Sequence, residues 1–344
     1  MDAYAALTRG TTKPTTAQVI TLLRDSSGGG IGSDADTNMN YVIDFGGHTY
    51  TVGAPAVGST GTVSQGLRVL QTSTAKFMNG TLKAADYNGL VQVVHTYGDV
   101  TFENFNVDAR ENSYAQIAVE PDCGTLNING NSSILAREGM TGLYVAFWHT
   151  ATYNGTTVNV NTTGKITGKL VYEFDEDMTG NDAARENRAV LNIANGNFEI
   201  TEIKPLFTDV DVTNEALTKE KITVNGGTFS RDVSTYTADG TPVAVNYGTD
   251  TYYVGAGTIQ NAANNLPAGQ RLTVVQGPVT VNGNTVAAGT SYTVPARYYY
   301  YNSTTTTTDT KGSPKTFDAG IALYVGMALT SAAGVAFVGK KRED

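Results

Sequence analysis

Apolar and polar side chains alternate along Tyr41-Val42-Ile43-Asp44-Phe45, stop at Gly46-Gly47, and alternate again along His48-Thr49-Tyr50-Thr51-Val52. Period-two runs bounded by Gly, Asn and Asp read as strands joined by tight turns. A short apolar strand over residues 19–23 precedes them and ends in Asp25 and a Ser-Ser-Gly-Gly-Gly stretch. From residue 66 the pattern recurs in units: Gly66 to Leu70 with Lys76 to Leu82, Gly89 to Val94 with Val100 to Val107, Gln116 to Val119 with Thr125 to Gly130, and Gly142 to Phe147 with Thr157 to Val160. Weaker units follow over residues 190–203 and 222–229. Repeats of this length mean stacked units, none of which buries its apolar side alone. The predicted architecture is a right-handed parallel β-helix over residues 41–240. Leu67, Val69, Leu90, Val93, Ile117, Val119, Leu143 and Val145 point inward, and Asn and Gly occupy turns because they tolerate positive φ.

After Asp239-Gly240 the repeats end. Residues 251–254, 271–275, 279–286 and 292–294 predict a small antiparallel β-module over 241–297, with Asn282-Gly283 as its hairpin turn. Residues 1–40 read as an N-terminal segment and cap. Residues 298–312, rich in Tyr and Thr, read as a linker, and 313–344 as a separate tail.

Composition agrees with a β-rich, turn-rich chain: 38 Gly among 344 residues and only 16% charged side chains. Sustained helical periodicity is scarce outside the tail. The net charge of -9, with no basic cluster before the tail, argues against a nucleic-acid partner. A single cysteine, Cys123, excludes an intramolecular disulfide and reads as a small buried hydrophobe. Three scattered histidines and no cysteine pair supply no zinc-ligand spacing, so neither a metal nor a cofactor is expected.

Aligning the repeats places His95, Glu120 with Asp122, and Trp148 with His149 along one face. An aromatic ring beside carboxylates suits a sugar, which makes these five residues the candidate ligand-binding face. The competing reading is ordinary packing of a lone Trp and a stacked His. The acidic run Glu173-Phe174-Asp175-Glu176-Asp177 reads as a solvated loop, since it lacks the ordered spacing of a calcium loop. Asp108-Ala109-Arg110-Glu111-Asn112 and Arg185-Glu186-Asn187-Arg188 read as polar turns with local ion pairs. No catalytic elbow, phosphate loop or dinucleotide fingerprint is present, and no catalytic residue is assigned.

The tail joins Ser313-Pro314-Lys315-Thr316-Phe317-Asp318, an uncharged run over 319–338, and Lys340-Lys341-Arg342. About 20 apolar or small residues suffice to cross a hydrocarbon core, and basic residues behind them stay cytoplasmic. In this order the parts resemble the LPxTG-like cell-wall sorting signal of Gram-positive surface proteins, with Ser313 in place of Leu and Phe317 in place of Gly. That resemblance implies a sortase as partner, cleavage between Thr316 and Phe317, attachment to peptidoglycan, and membrane contact through 319–338 before sorting. A plain C-terminal membrane anchor is the competing reading. Met1-Asp2-Ala3-Tyr4 has neither a basic n-region nor an apolar h-region, so the expectation is a chain trimmed of its leader or given too late a start. Thr21-Leu22-Leu23-Arg24-Asp25, Ile43 to Tyr50 and Val224 to Val233 resemble phrases that recur in β-helical surface proteins of gut Firmicutes. Three function classes follow for a protein of the cell wall or extracellular surface. The expectation is an adhesin-like binder of glycans or of host or cell-surface ligands; the alternatives are a polysaccharide lyase or glycoside hydrolase, for which no carboxylate constellation stands out, and a spacer or pilin-like subunit, for which no acceptor Lys is marked.

Overall fold

The computed structural model describes residues 2–33, 36–59, 61–146, 155–174, 189–207 and 222–296. These residues are mostly strand, in a large sheet of chiefly parallel pairs and a small antiparallel one. The chain returns to the same place in the sheet again and again. Ile20, Ile43, Phe77, Phe102, Ile128, Val160, Ile193 and Val224 are successive register partners in parallel strands. The interval is shortest from Ile20 to Ile43 and longest from Ile43 to Phe77. Parallel neighbours need such long connections, because a hairpin cannot join them.

A second column of inward residues runs through Tyr50, Leu82, Val107, Ile134, Ile166, Phe198 and Phe229. A third runs through Leu67, Val94, Val119, Leu143, Leu170 and Ile203. The three meet in one apolar core that extends from Leu7 to Val254. Of the eight residues expected inward, seven are buried, and Ile117 at the start of its strand is only partly so. The stack begins before residue 41, since Gln18–Thr21 already pairs in parallel with Asn40–Asp44. The leading segment docks through buried Leu7, through Tyr4 edge-on to Tyr41, and through Arg9, whose Nε donates to Asp36 Oδ1.

Asparagine makes the same corner in two successive layers. In Asp99–Asp108, Val100 and Phe102 face the core on one parity, and Phe105 and Val107 face it on the other. Strict alternation forbids that switch. Asn104, with φ of 51°, supplies it, as does Asn79 with φ of 56° one layer earlier. A left-handed residue turns the strand and resets which side is inward, and Asn tolerates that conformation better than most side chains. At the turn after Val107, Asp108 accepts from Arg110 at 2.7 Å and Lys83 pairs with Glu111 at 2.7 Å, as the local ion pairs expected there. The hydrogen bonds from Arg110 hold the Asp108 carboxyl below its ordinary range.

Parallel pairing ends with Gly227–Phe229, whose other neighbour, Thr251–Val254, runs antiparallel to it. Residues beyond 240 hold a second small core around Ala244, Ile259, Leu272 and Val281. The expected hairpin is present: Pro278–Val281 pairs with Asn284–Ala287 around Asn282 (φ 48°) and Gly283 (φ 79°). A ten-residue α-helix, Ala256–Asn265, was not expected in an antiparallel β-module. It buries Ile259, Ala262 and Ala263, a spacing of three and four, against the sheet. Residues through 296 form a single compact unit. The tail, with Ser313 to Phe317 and the 319–338 run, lies outside the described residues, as do most of the acidic run after Phe174 and all of 185–188. Among the described residues no helix is long and apolar enough to cross a membrane.

Candidate functional site

Strands Thr62–Val69, Gln92–Thr96 and Ile117–Pro121 lie side by side in parallel, with Leu67, Val94 and Val119 opposite one another in the core. One residue further on, alternation turns Arg68, His95 and Glu120 to the other side of the sheet. Side chains on an outer face are ordinarily wet, but here Arg68, His95 and Glu120 are 7%, 5% and 8% exposed.

Asp122 joins them from the turn that ends the third strand. Its N–H donates to the Thr96 carbonyl at 2.9 Å, which fixes the turn against the neighbouring layer. Its Oδ2 then lies 2.7 Å from His95 Nε2, and Asp122 itself is 5% exposed. Gln65 closes the other side of the ring, with its amide nitrogen 2.6 Å from His95 Nδ1. A carboxylate only accepts, so Nε2 carries a proton; Nδ1 can then accept from the Gln65 amide, and a neutral imidazole is fully paired. In that orientation the Gln65 Oε1 is buried with no hydrogen bond.

The Tyr97 ring lies 4.5 Å from the His95 ring, centre to centre, and the Arg68 guanidinium sits 5.8 Å from the Tyr97 centroid. Arg68 also donates to Ser59 Oγ at 2.7 Å. Burial, then the nearby Asp122 charge, pushes the Tyr97 phenol far above its ordinary range, so it stays a neutral hydroxyl. One imidazole nitrogen and one oxygen from each of two carboxylates lie within 4.8 Å of one another.

Three of the five residues expected on one face therefore come together: His95, Glu120 and Asp122. They are gathered under cover and not spread along an open surface. Trp148 and His149 lie outside the described residues. Gln65, Arg68 and Tyr97 escaped sequence reasoning, although the repeat alignment that paired His95 with Glu120 also places Arg68 opposite His95. The three donors come from two layers and not from one short motif, so no ligand spacing in the sequence marks them.

Cys123, next to Asp122, is 1% exposed, and its Sγ contacts the Tyr97 carbonyl at 3.4 Å. Burial pushes the thiol up, and the Asp122 charge adds to the effect. Only the thiolate is nucleophilic, so the folded protein should not react with a disulfide reagent at pH 8, whereas the denatured chain should release one equivalent per chain. Prompt labelling of the native protein would mean that this turn opens freely. Comparison with protein-family models, with curated proteins and with solved structures found no match to this chain.

Proposed function

We propose that this chain is a cell-wall-anchored surface protein whose layered strands form a right-handed parallel β-helix, and that it acts as an adhesin-like binder of glycans or other surface ligands. The observation that supports the binding role is a ladder of uncharged amides on the outer face. Asn127, Asn159 and Asn192 are register partners, one per layer, and each amide nitrogen of the later pair donates at 3.0 Å to the oxygen of the Asn before it. Thr101 and Thr223 extend the column at its two ends. Parallel strands stand roughly 4.8 Å apart, so the column offers donors and acceptors at a fixed repeat on a stiff base. Hydroxyl-rich polymers are recognised by such groups.

Attachment rests on the order of Pro314, Lys315 and Thr316, the uncharged 319–338 run and the basic end. A lyase or hydrolase is less well supported, since its carboxylates must reach a polysaccharide and His95, Glu120 and Asp122 are each more than nine-tenths buried. The test is a screen of the soluble protein, without the tail, on an array of glycans and matrix proteins, with Asn159→Ala beside it. The expected result is saturable binding to at least one ligand that falls several-fold in the variant while the circular dichroism spectrum is kept. No saturable ligand, or one that is indifferent to Asn159→Ala, would remove the ladder as a binding face.

A further inference from the structure

We infer that His95, Glu120 and Asp122 form a binding site for one first-row divalent metal ion, with zinc as the probe. Two carboxylates buried beside one imidazole are costly unless a positive charge faces them. Arg68 supplies one such charge nearby, and a divalent cation would more than balance what remains.

The donor set selects the class of ion. Calcium takes six to eight oxygens and magnesium keeps a shell of waters, whereas a nitrogen with two carboxylate oxygens suits zinc, manganese or cobalt. Zinc holds such ligands at about 2.0–2.2 Å, so two donors on one ion stand no more than about 4.4 Å apart. Donor atoms already within 4.8 Å of one another need only rotamer adjustments to close on an ion.

Gln65 provides the outer support. On binding, Nε2 gives its proton up and Nδ1 carries one, so the imidazole stays neutral and only its tautomer changes. With its amide turned end for end, Gln65 then accepts from Nδ1–H through Oε1, the atom that is otherwise buried with no hydrogen bond. Ligating histidines usually donate their second N–H to such an acceptor. The ion would tie the strands that carry His95 and Glu120 to the Asp122 turn across neighbouring layers.

The experiment is calorimetric titration with zinc of protein stripped by a chelator, repeated with calcium. One equivalent of zinc per chain is expected, with no binding of calcium at the same concentration. Asp122→Asn and Glu120→Gln, both isosteric, should weaken zinc at least tenfold, and Gln65→Ala should weaken it measurably. His48→Ala, which removes the histidine beside Asp25 on the surface, should change nothing. If a carboxylate variant does not fold, cobalt on the wild-type protein decides. Visible absorption that saturates at one equivalent and is abolished by zinc supports the site. Absence of stoichiometric zinc and of a cobalt spectrum, or loss of binding in His48→Ala, would overturn it.

Discussion

Phe105→Ala is expected to cost about 4 kcal/mol of stability, the largest loss from any single truncation in the stack. Its ring is fully buried and touches three others, with centroids 4.8 Å from Phe45, 5.2 Å from Phe102 and 5.7 Å from Phe77. Phe45 and Phe105 belong to layers on either side of the one that holds Gly80, the register partner of Phe105. A Cβ on Gly80 would stand 2.3 Å from Phe45 Cβ, so the missing side chain is what lets the two rings meet. Removing the Phe105 ring leaves a void that three rigid rings in fixed strands cannot fill, which places the cost in the upper part of the range for such changes. Denaturant unfolding followed by far-ultraviolet circular dichroism measures it. A change below about 1 kcal/mol would mean that the layers collapse onto the void and that the aromatic cluster is not a rigid centre.

Gly142→Ala is expected to cost about 3 kcal/mol, although it adds a single methyl group. Gly142 sits where Thr141–Val145 meets the next layer with a register shift between Thr141 and Leu143. Its Cβ would fall 1.9 Å from the Thr167 carbonyl oxygen, an atom of the neighbouring backbone that cannot move without breaking the stack. Gly257→Ala is the control. Apart from its chain neighbours and the helix's own backbone, no atom lies within 4 Å of a Cβ there, and the residue belongs to the helix Ala256–Asn265. At that site the same substitution should stabilise by roughly 0.5 kcal/mol, through the lower entropy of the unfolded chain. Equal effects at the two positions would contradict the close approach of the layers at Gly142.

Much of the frame was legible because its physics is local and repeated. Leu67, Val119 and Leu143 lie in period-two runs, and the aligned runs already implied the column in which those side chains stand. Asn282-Gly283 announced its hairpin through the positive φ that both residues accept. The helix Ala256–Asn265 was not legible. Its asparagines and glycine are poor helix formers, and what holds it is the packing of Ile259, Ala262 and Ala263 against the strands Thr251–Val254 and Pro278–Val281. The start of the stack was misplaced for a related reason: Val19 in the first strand is 65% exposed, so its pattern lacks a clean apolar face. At the candidate site the sequence brought His95 to Glu120, because both follow a core residue in aligned strands. It could not show that Asp122 turns back to the imidazole or that Gln65 holds the other nitrogen. Those contacts depend on the turn after Pro121 and on the placement of side chains between layers.

Attachment to the envelope is the central part of the proposed function, and the C-terminus of the mature protein tests it directly. Proline disfavours helix in the residue before it, so the sequence Ser313-Pro314-Lys315-Thr316 suits the extended peptide that a transpeptidase requires. The measurement is mass spectrometry of the protein released from the native cell envelope by peptidoglycan digestion. The predicted result is a C-terminal peptide that ends at Thr316 with a peptidoglycan fragment joined to its carbonyl. Intact chain extracted with the membrane, still carrying Phe317 and all that follows, would contradict it.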